Sequence, residues 1–351
     1  MTGARAAVEG TSTEERHRIS TPASTIGPWL PEGELGNALA EGLAGVEAEL
    51  TAAVGSEHPF VREAAGHLMA AGGKRFRPML ALLSAQLGDA RAPQVTRAAV
   101  VCELTHLATL YHDDVMDEAA VRRGAPSANS RWSNSIAILT GDLLFARASN
   151  LLADLGPEAV RIQAQTFERL VTGQIRETVG PQPGADPVTH HLGVLADKTG
   201  SLVATSARFG ASFAGVDESL VAALTAFGEE VGVAFQISDD LLDILSEGGA
   251  SGKLPGTDLR EGIATLPALF VLADDDPADA RLRELVSAPV TDDADHAEAL
   301  ALLRASNGLA RAAEVLGQYA DRARARLDGV PPGEVRDALS ALCDYVVTRT
   351  S

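Results

Sequence analysis

Sulfur, aromatic rings and positive charge are all scarce in this chain. Two cysteines, Cys102 and Cys343, are too few for a disulfide framework or a cysteine-based zinc site. Both sit in apolar helical patterns and read as buried free thiols of a reducing compartment. Aromatic residues make up 4% of the chain, which disfavours a β-sandwich or barrel. Lys and Arg number 29 against 48 Asp and Glu, a formal charge of −19. That excludes nucleic acid as a partner, because the phosphate backbone demands a basic surface. No stretch holds the ~18–20 unbroken apolar residues of a transmembrane segment. Residues 1–30 lack the apolar core of a signal peptide. These absences predict a cytoplasmic protein.

What is present is helical periodicity. Residues 1–30 are polar and rich in Thr, Ser, Glu and Arg, the composition of a disordered tail. From 31 to 351, apolar residues recur at i, i+3 and i+4 almost without strand-like alternation. The pattern predicts helices at 33–54, 58–71, 78–88, 92–118, 131–154, 157–179, 189–213, 217–247, 264–273, 278–287, 294–305, 307–328 and 332–349. Gly and Pro punctuate the connections at 72–78, 179–187, 246–258 and 329–334. With no internal repeat and no shift of composition, the expected fold class is all-α, one domain over 31–351.

Two Asp-Asp-x-x-Asp clusters lie inside apolar stretches: Asp113, Asp114 and Asp117, then Asp239, Asp240 and Asp243. On a helix, i and i+4 share a face, so Asp113 stacks with Asp117 and Asp239 with Asp243. Such carboxylates repel unless a cation lies between them. Mg²⁺ suits the position, taking one or two carboxylates and completing its shell with water and phosphate oxygens. A third match to the motif, Asp275, Asp276 and Asp279, contains Pro277 and lies in a run of Ala, Asp and Pro, which reads as a solvated turn. Basic residues group at Lys74, Arg75 and Arg77 in GGKRFRP, at Arg122 and Arg123, and at Lys198 with Thr199 and Lys253. Acidic cages for metal beside separate basic groups suggest two anionic sites, one holding metal and one without it.

The segments GGKRFRP, HLATLYHDDVMDEAAVRRG, TGDLLFARA, DKTGSLVA and FQISDDLLDI…SGKLPGTDLREGIATLP resemble, in order and spacing, the trans-isoprenyl diphosphate synthases, over about residues 35–350. The resemblance implies a bundle of antiparallel helices around a deep central cavity, the isoprenoid synthase fold, usually a homodimer. It implies Mg²⁺ on Asp113, Asp117 and Asp239, with Asp114 alongside the first pair and Asp240 and Asp243 behind Asp239. Arg122, Lys198, Thr199, Gln236 and Lys253 would contact an allylic diphosphate, and Gln174 and Glu177 would line the same site. Lys74, Arg77, His106 and Arg123 would hold isopentenyl diphosphate without metal, with Arg75 between them. Many relatives carry a Lys where this chain has Ile263, which removes one diphosphate contact.

The implied reaction joins isopentenyl diphosphate head-to-tail to the allylic diphosphate, five carbons per cycle. The growing chain would descend the helix that carries Asp113, past Thr109, Ala108 and Thr105, with Cys102 or Val101 lower down. One helix turn rises about 5.4 Å, close to one extended isoprene unit. Short-chain synthases place aromatic rings four or five residues before the first Asp. Thr109 and Ala108 leave those floors open, so a product longer than twenty carbons is expected, with Phe145 and Phe167 candidates for the stopping wall. Alternatives are a short-chain synthase, a class I terpene cyclase and a noncatalytic partner subunit. The all-Asp second motif and intact basic loop disfavour the last two.

Overall fold

A computed structural model describes Trp29, residues 31–246 and residues 255–350. Chain direction is set by helices that start and stop near the expected breakers. The long ones are α1 (Glu34–Ala53), α2 (Pro59–Ala70), α3 (Phe76–Ala85) and α4 (Pro93–Met116). After a two-stranded hairpin, β1 (Val121–Arg122) with β2 (Ala125–Pro126), come the short α5 (Ala128–Arg131), then α6 (Asn134–Leu155) and α7 (Pro157–Val179). The region expected as one helix over 189–213 is α8 (Pro187–Leu195), a π-helical turn (Ala196–Gly200) and α9 (Ser201–Phe213). Next come α10 (Glu218–Leu245), α11 (Thr257–Glu261), α12 (Leu266–Ala273) and α13 (Ala280–Val286). The last three are α14 (Asp293–Ala305), α15 (Asn307–Arg326) and α16 (Glu334–Thr348).

The all-α expectation holds; among the described residues the only strands are the two of the hairpin. Pro at the first turn opens α2, α4, α7 and α8, where its missing N–H costs nothing. α4 lies at the centre, packed on α3, α6 and α9, and is buried along most of its length. α10 closes the other side against α9 and α15. Trp29, assigned from sequence to the tail, is buried against the core; the rest of 1–30 lies outside the described residues. α6 and α10 reach the length and composition of a membrane span, but α10 is a core helix and Asp142 and Arg147 interrupt α6. Cys102 and Cys343 are buried free thiols, as expected.

Candidate active site

The first Asp cluster sits where α4 stops. Glu118 turns left-handed at φ 49°. Its N–H then reaches the Val115 carbonyl at 3.4 Å, and the Ala119 N–H reaches that of Asp114 at 3.0 Å. This Schellman closure ends the helix just past the cluster. Asp113 and Asp117 both line a cavity of about 690 Å³. Asp114, about 100° round the helix, does not. It is fully buried and accepts a 2.6 Å bond from Arg122 Nε. Asp114, expected alongside its neighbours at the metal, instead faces Arg122.

The hairpin was not foreseen from sequence. Its turn, Arg123–Gly124, has φ of 53° and 77°, as a type I′ hairpin turn requires. Strand alternation then sends consecutive arginines apart. Arg122 faces the large cavity, 3.8 Å from Asp117. Arg123 donates to the carbonyls of Leu68 and Gly72 and reaches a second cavity as well.

The opposite wall of the large cavity comes from the π-helical turn and α10. A π turn inside a helix is a frequent mark of a functional site. Here it fits closely, because a Cβ on Gly173 of α7 would meet the Lys198 backbone N at 2.8 Å. Lys198 Nζ pairs with Glu177 at 2.6 Å. Burial opposes its charge, but Glu177, Asp113 and Asp117 outweigh burial and raise its pKa. Thr199 donates to Gln236 Oε1 at 3.1 Å, and Gln236 Nε2 donates to Asp240 at 3.0 Å. Burial raises the Asp113 carboxyl to about 6, against the pull of Lys198. Burial, then Asp258, pushes Asp240 well above the usual carboxylate range.

The second cluster divides its labour unexpectedly. Asp240 is the member that shares the large cavity with Asp113 and Asp117. Asp239 lines the smaller neighbouring cavity and pairs with Arg349 at 2.8 Å. Asp243 accepts from the Asp258 N–H at 3.3 Å and so holds the return of the chain into α11. Lys253 lies outside the described residues. Gln174, expected beside Glu177, is half-buried one turn lower and absent from the cavity wall, its Oε1 without a hydrogen bond.

The smaller cavity, about 330 Å³, is lined by Lys74, Arg77, His106 and Arg123, with Thr199 and Gln236 from the shared wall. Gly72 and Gly73 adopt positive φ and swing the basic loop inward. Arg77 is half-buried with its Nε donating to nothing, and desolvation lowers its pKa. Burial and then the neighbouring arginines hold His106 neutral, well below its ordinary value. Crowded, partly unpaired cations in a desolvated pocket call for an anion. Arg75 is paired. Left-handed at φ 45°, it caps α3 and buries its guanidinium against Glu47 at 2.5 Å and Glu103 at 3.1 Å. It lines the smaller cavity as well, with its charge already matched by the two glutamates.

The sequence matches the profile of the Polyprenyl synthetase family over residues 58–303. The chain belongs to the polyprenyl synthetase family. Nonaprenyl diphosphate synthase of Mycobacterium tuberculosis is 52% identical over 94% of this chain and 99% of its own length. Geranylgeranyl pyrophosphate synthase of Corynebacterium glutamicum, solved with calcium and isoprenyl diphosphate, superposes with TM-score 0.82 at 45% identity, covering 91% and 98% of the two chains. Decaprenyl diphosphate synthase of Rhodobacter capsulatus gives 0.81 at 36% identity, covering 90% and 98%. The protein is thus a prenyltransferase.

In this prenyltransferase the floors below Asp113 carry small side chains. Ala108 and Thr105 are fully buried and Thr109 half-buried. Thr105 is bonded to Gln163 of α7, and Phe145 of α6 packs on Phe167 of α7 with ring centres 4.4 Å apart. Ile263 lines the large cavity, an apolar wall where many relatives would place a cation. Arg349 and His191 were missed. Arg349 stacks over Phe235 at 4.1 Å, and His191 lines the large cavity, 3.9 Å from Asp240. Neither belongs to a motif, so only the fold reveals them. The decoy Asp276 caps a short 3₁₀ turn in solvent, as expected.

Proposed function

We propose that this prenyltransferase holds an allylic diphosphate in the large cavity and isopentenyl diphosphate in the smaller one, and makes a trans-polyprenyl diphosphate longer than twenty carbons. The observation that carries this is the pairing of two adjoining cavities with opposite character. Asp113, Asp117 and Asp240 bound one, Lys74, Arg77, His106 and Arg123 bound the other, and Gln236 and Arg123 touch both. Among the described residues no three carboxylates or histidines converge on one point. That fits Mg²⁺, which takes few protein ligands and completes its shell with phosphate oxygens. Asp113 and Asp117 would hold it from one wall. Asp239 would join once released from Arg349, with Asp240 behind it. A solved relative carrying calcium and isoprenyl diphosphate supports the use of a divalent cation.

Bound there, Mg²⁺ supplies charge to stabilise the leaving diphosphate. Lys198 and Arg122 add fixed cations on the same oxygens, with Lys253 expected to do likewise. The C–O bond of the allylic substrate ionises, the double bond of isopentenyl diphosphate attacks C1, and the departing diphosphate takes the proton lost from C2. Lys74, Arg77, His106 and Arg123 fix the attacking partner. The named activity of the 52% identical relative supports a long product, while the 45% identical geranylgeranyl synthase supports the short-chain reading.

The protein acts as a homodimer in the cytoplasm. Ile138 and Leu139 of α6 are 43% and 62% exposed, with Ile175 and Val179 of α7 also on the surface, and a second copy is the occupant proposed for these residues. Incubating the purified chain with isopentenyl diphosphate, each allylic primer and Mg²⁺, with products sized by mass spectrometry, tests the activity. Sedimentation tests the dimer.

A further inference from the structure

Below the metal-binding carboxylates, α4, α6, α7 and α9 form a ring. α4 packs on α6 and α9, and α7 packs on the same two helices, while α4 and α7 face each other without close backbone packing. A side-chain hydrogen bond bridges them. Gln163 of α7 donates from Nε2 to Thr105 Oγ1 of α4 at 2.8 Å, and Thr105 donates onward to the Val101 carbonyl. One turn along α7, Thr166 and Thr205 of α9 bring their Oγ atoms to 2.6 Å. All four side chains are buried, and Gln163 Oε1 has no hydrogen-bond partner. A buried amide left half satisfied weakens a core. A polar layer retained there at that cost calls for an explanation.

Its depth supplies one. Thr105 lies eight residues before Asp113, about 12 Å lower at 1.5 Å per residue, or roughly two turns. One turn matches about one extended five-carbon unit, so a tail of two or three units fits above the layer and a longer one must cross it. We propose that Gln163, latched to Thr105, is a length-setting residue of this prenyltransferase. The latch closes the channel beneath the first units and parts to admit longer tails. This rests on the proposed elongation beyond twenty carbons.

The test follows product length through time. The full-length protein, geranyl diphosphate, excess isopentenyl diphosphate and Mg²⁺ are mixed, and chains are sized by mass spectrometry at partial conversion. The wild-type protein should accumulate intermediates of about 15–20 carbons, those whose tails reach the layer. Thr105→Val and Gln163→Leu each remove the bridge at similar volume. Each should lower the ratio of these intermediates to longer chains about fivefold, equivalent to roughly 1 kcal/mol at 1.36 kcal/mol per tenfold. Thr105→Ser keeps the hydroxyl and should keep the wild-type ratio; a folded Ser variant that shifts it as far as Thr105→Val does would overturn the proposal. Folded Val and Leu variants with an unchanged ratio would overturn the proposal. If those variants do not fold, the wild-type time course decides alone, and absence of the pause overturns it. A wild-type chain that extends no primer would instead overturn the prenyltransferase reading beneath it.

Discussion

Replacing Arg75 with Met should unfold this protein far more readily than its position in a ligand-binding loop suggests. The guanidinium is 7% exposed and pairs with Glu103, itself 2% exposed, and with the half-exposed Glu47. Burial alone would lower the Arg75 pKa, yet the two carboxylates outweigh it and raise it. Methionine matches the length of the stem and removes the charge. Glu47 can turn to water, whereas Glu103 is left ionised and buried without its partner. Breaking a buried pair in this way costs about 3–5 kcal/mol. Urea unfolding followed by circular dichroism, extrapolated to water, reads that loss. Adding Glu103→Gln to Arg75→Met removes the stranded charge and should recover most of it, so the double-mutant cycle is strongly non-additive. A single-variant loss under about 1 kcal/mol, the range of an exposed pair, would refute the reasoning. So would additive behaviour.

Further outcomes follow from the two cavities. Asp113→Ala and Asp239→Ala should each lower turnover at least ~100-fold, the scale of losing leaving-group stabilisation, while Asp276→Ala leaves steady-state rates unchanged. His106→Ala and Arg77→Ala should raise the KM for isopentenyl diphosphate about 10- to 100-fold and move that for the allylic primer far less; Lys198→Ala should do the reverse. Because burial lifts the Asp113 carboxyl from 3.8 to about 6, metal-free protein loses stability as pH rises through that span. Conversely, a proton occupies the metal's oxygen below it. Calorimetry of Mg²⁺-dependent binding of inorganic diphosphate should therefore weaken about tenfold per unit below pH 6, and a flat profile between pH 5 and 7 would be contrary.

Helix positions were legible because apolar spacing reports burial directly, and α7 was bounded at 157–179 as the structure has it. Local departures were not. The π turn at 196–200 keeps helical composition, so periodicity reads through it. The 121–126 hairpin is two residues per strand, too short for alternation to register. Motif letters placed Asp114 and Gln174 at the site because each lies close in sequence to a residue that faces it. Which of them turns inward depends on where α4 ends, which the motif does not spell out. Arg349 pairs with Asp239 from 110 positions away in sequence. No local signal could join them.

The proposed reaction has one protein ionise an allylic diphosphate and add isopentenyl diphosphate to it repeatedly under metal control. Purified chain given farnesyl diphosphate, isotopically labelled isopentenyl diphosphate and Mg²⁺ tests this directly by mass spectrometry. Labelled prenyl diphosphates longer than twenty carbons, spaced by five carbons and abolished by excess chelator, are expected. Cyclised or merely hydrolysed farnesyl products with no label incorporated, or elongation that persists in chelator, would contradict it.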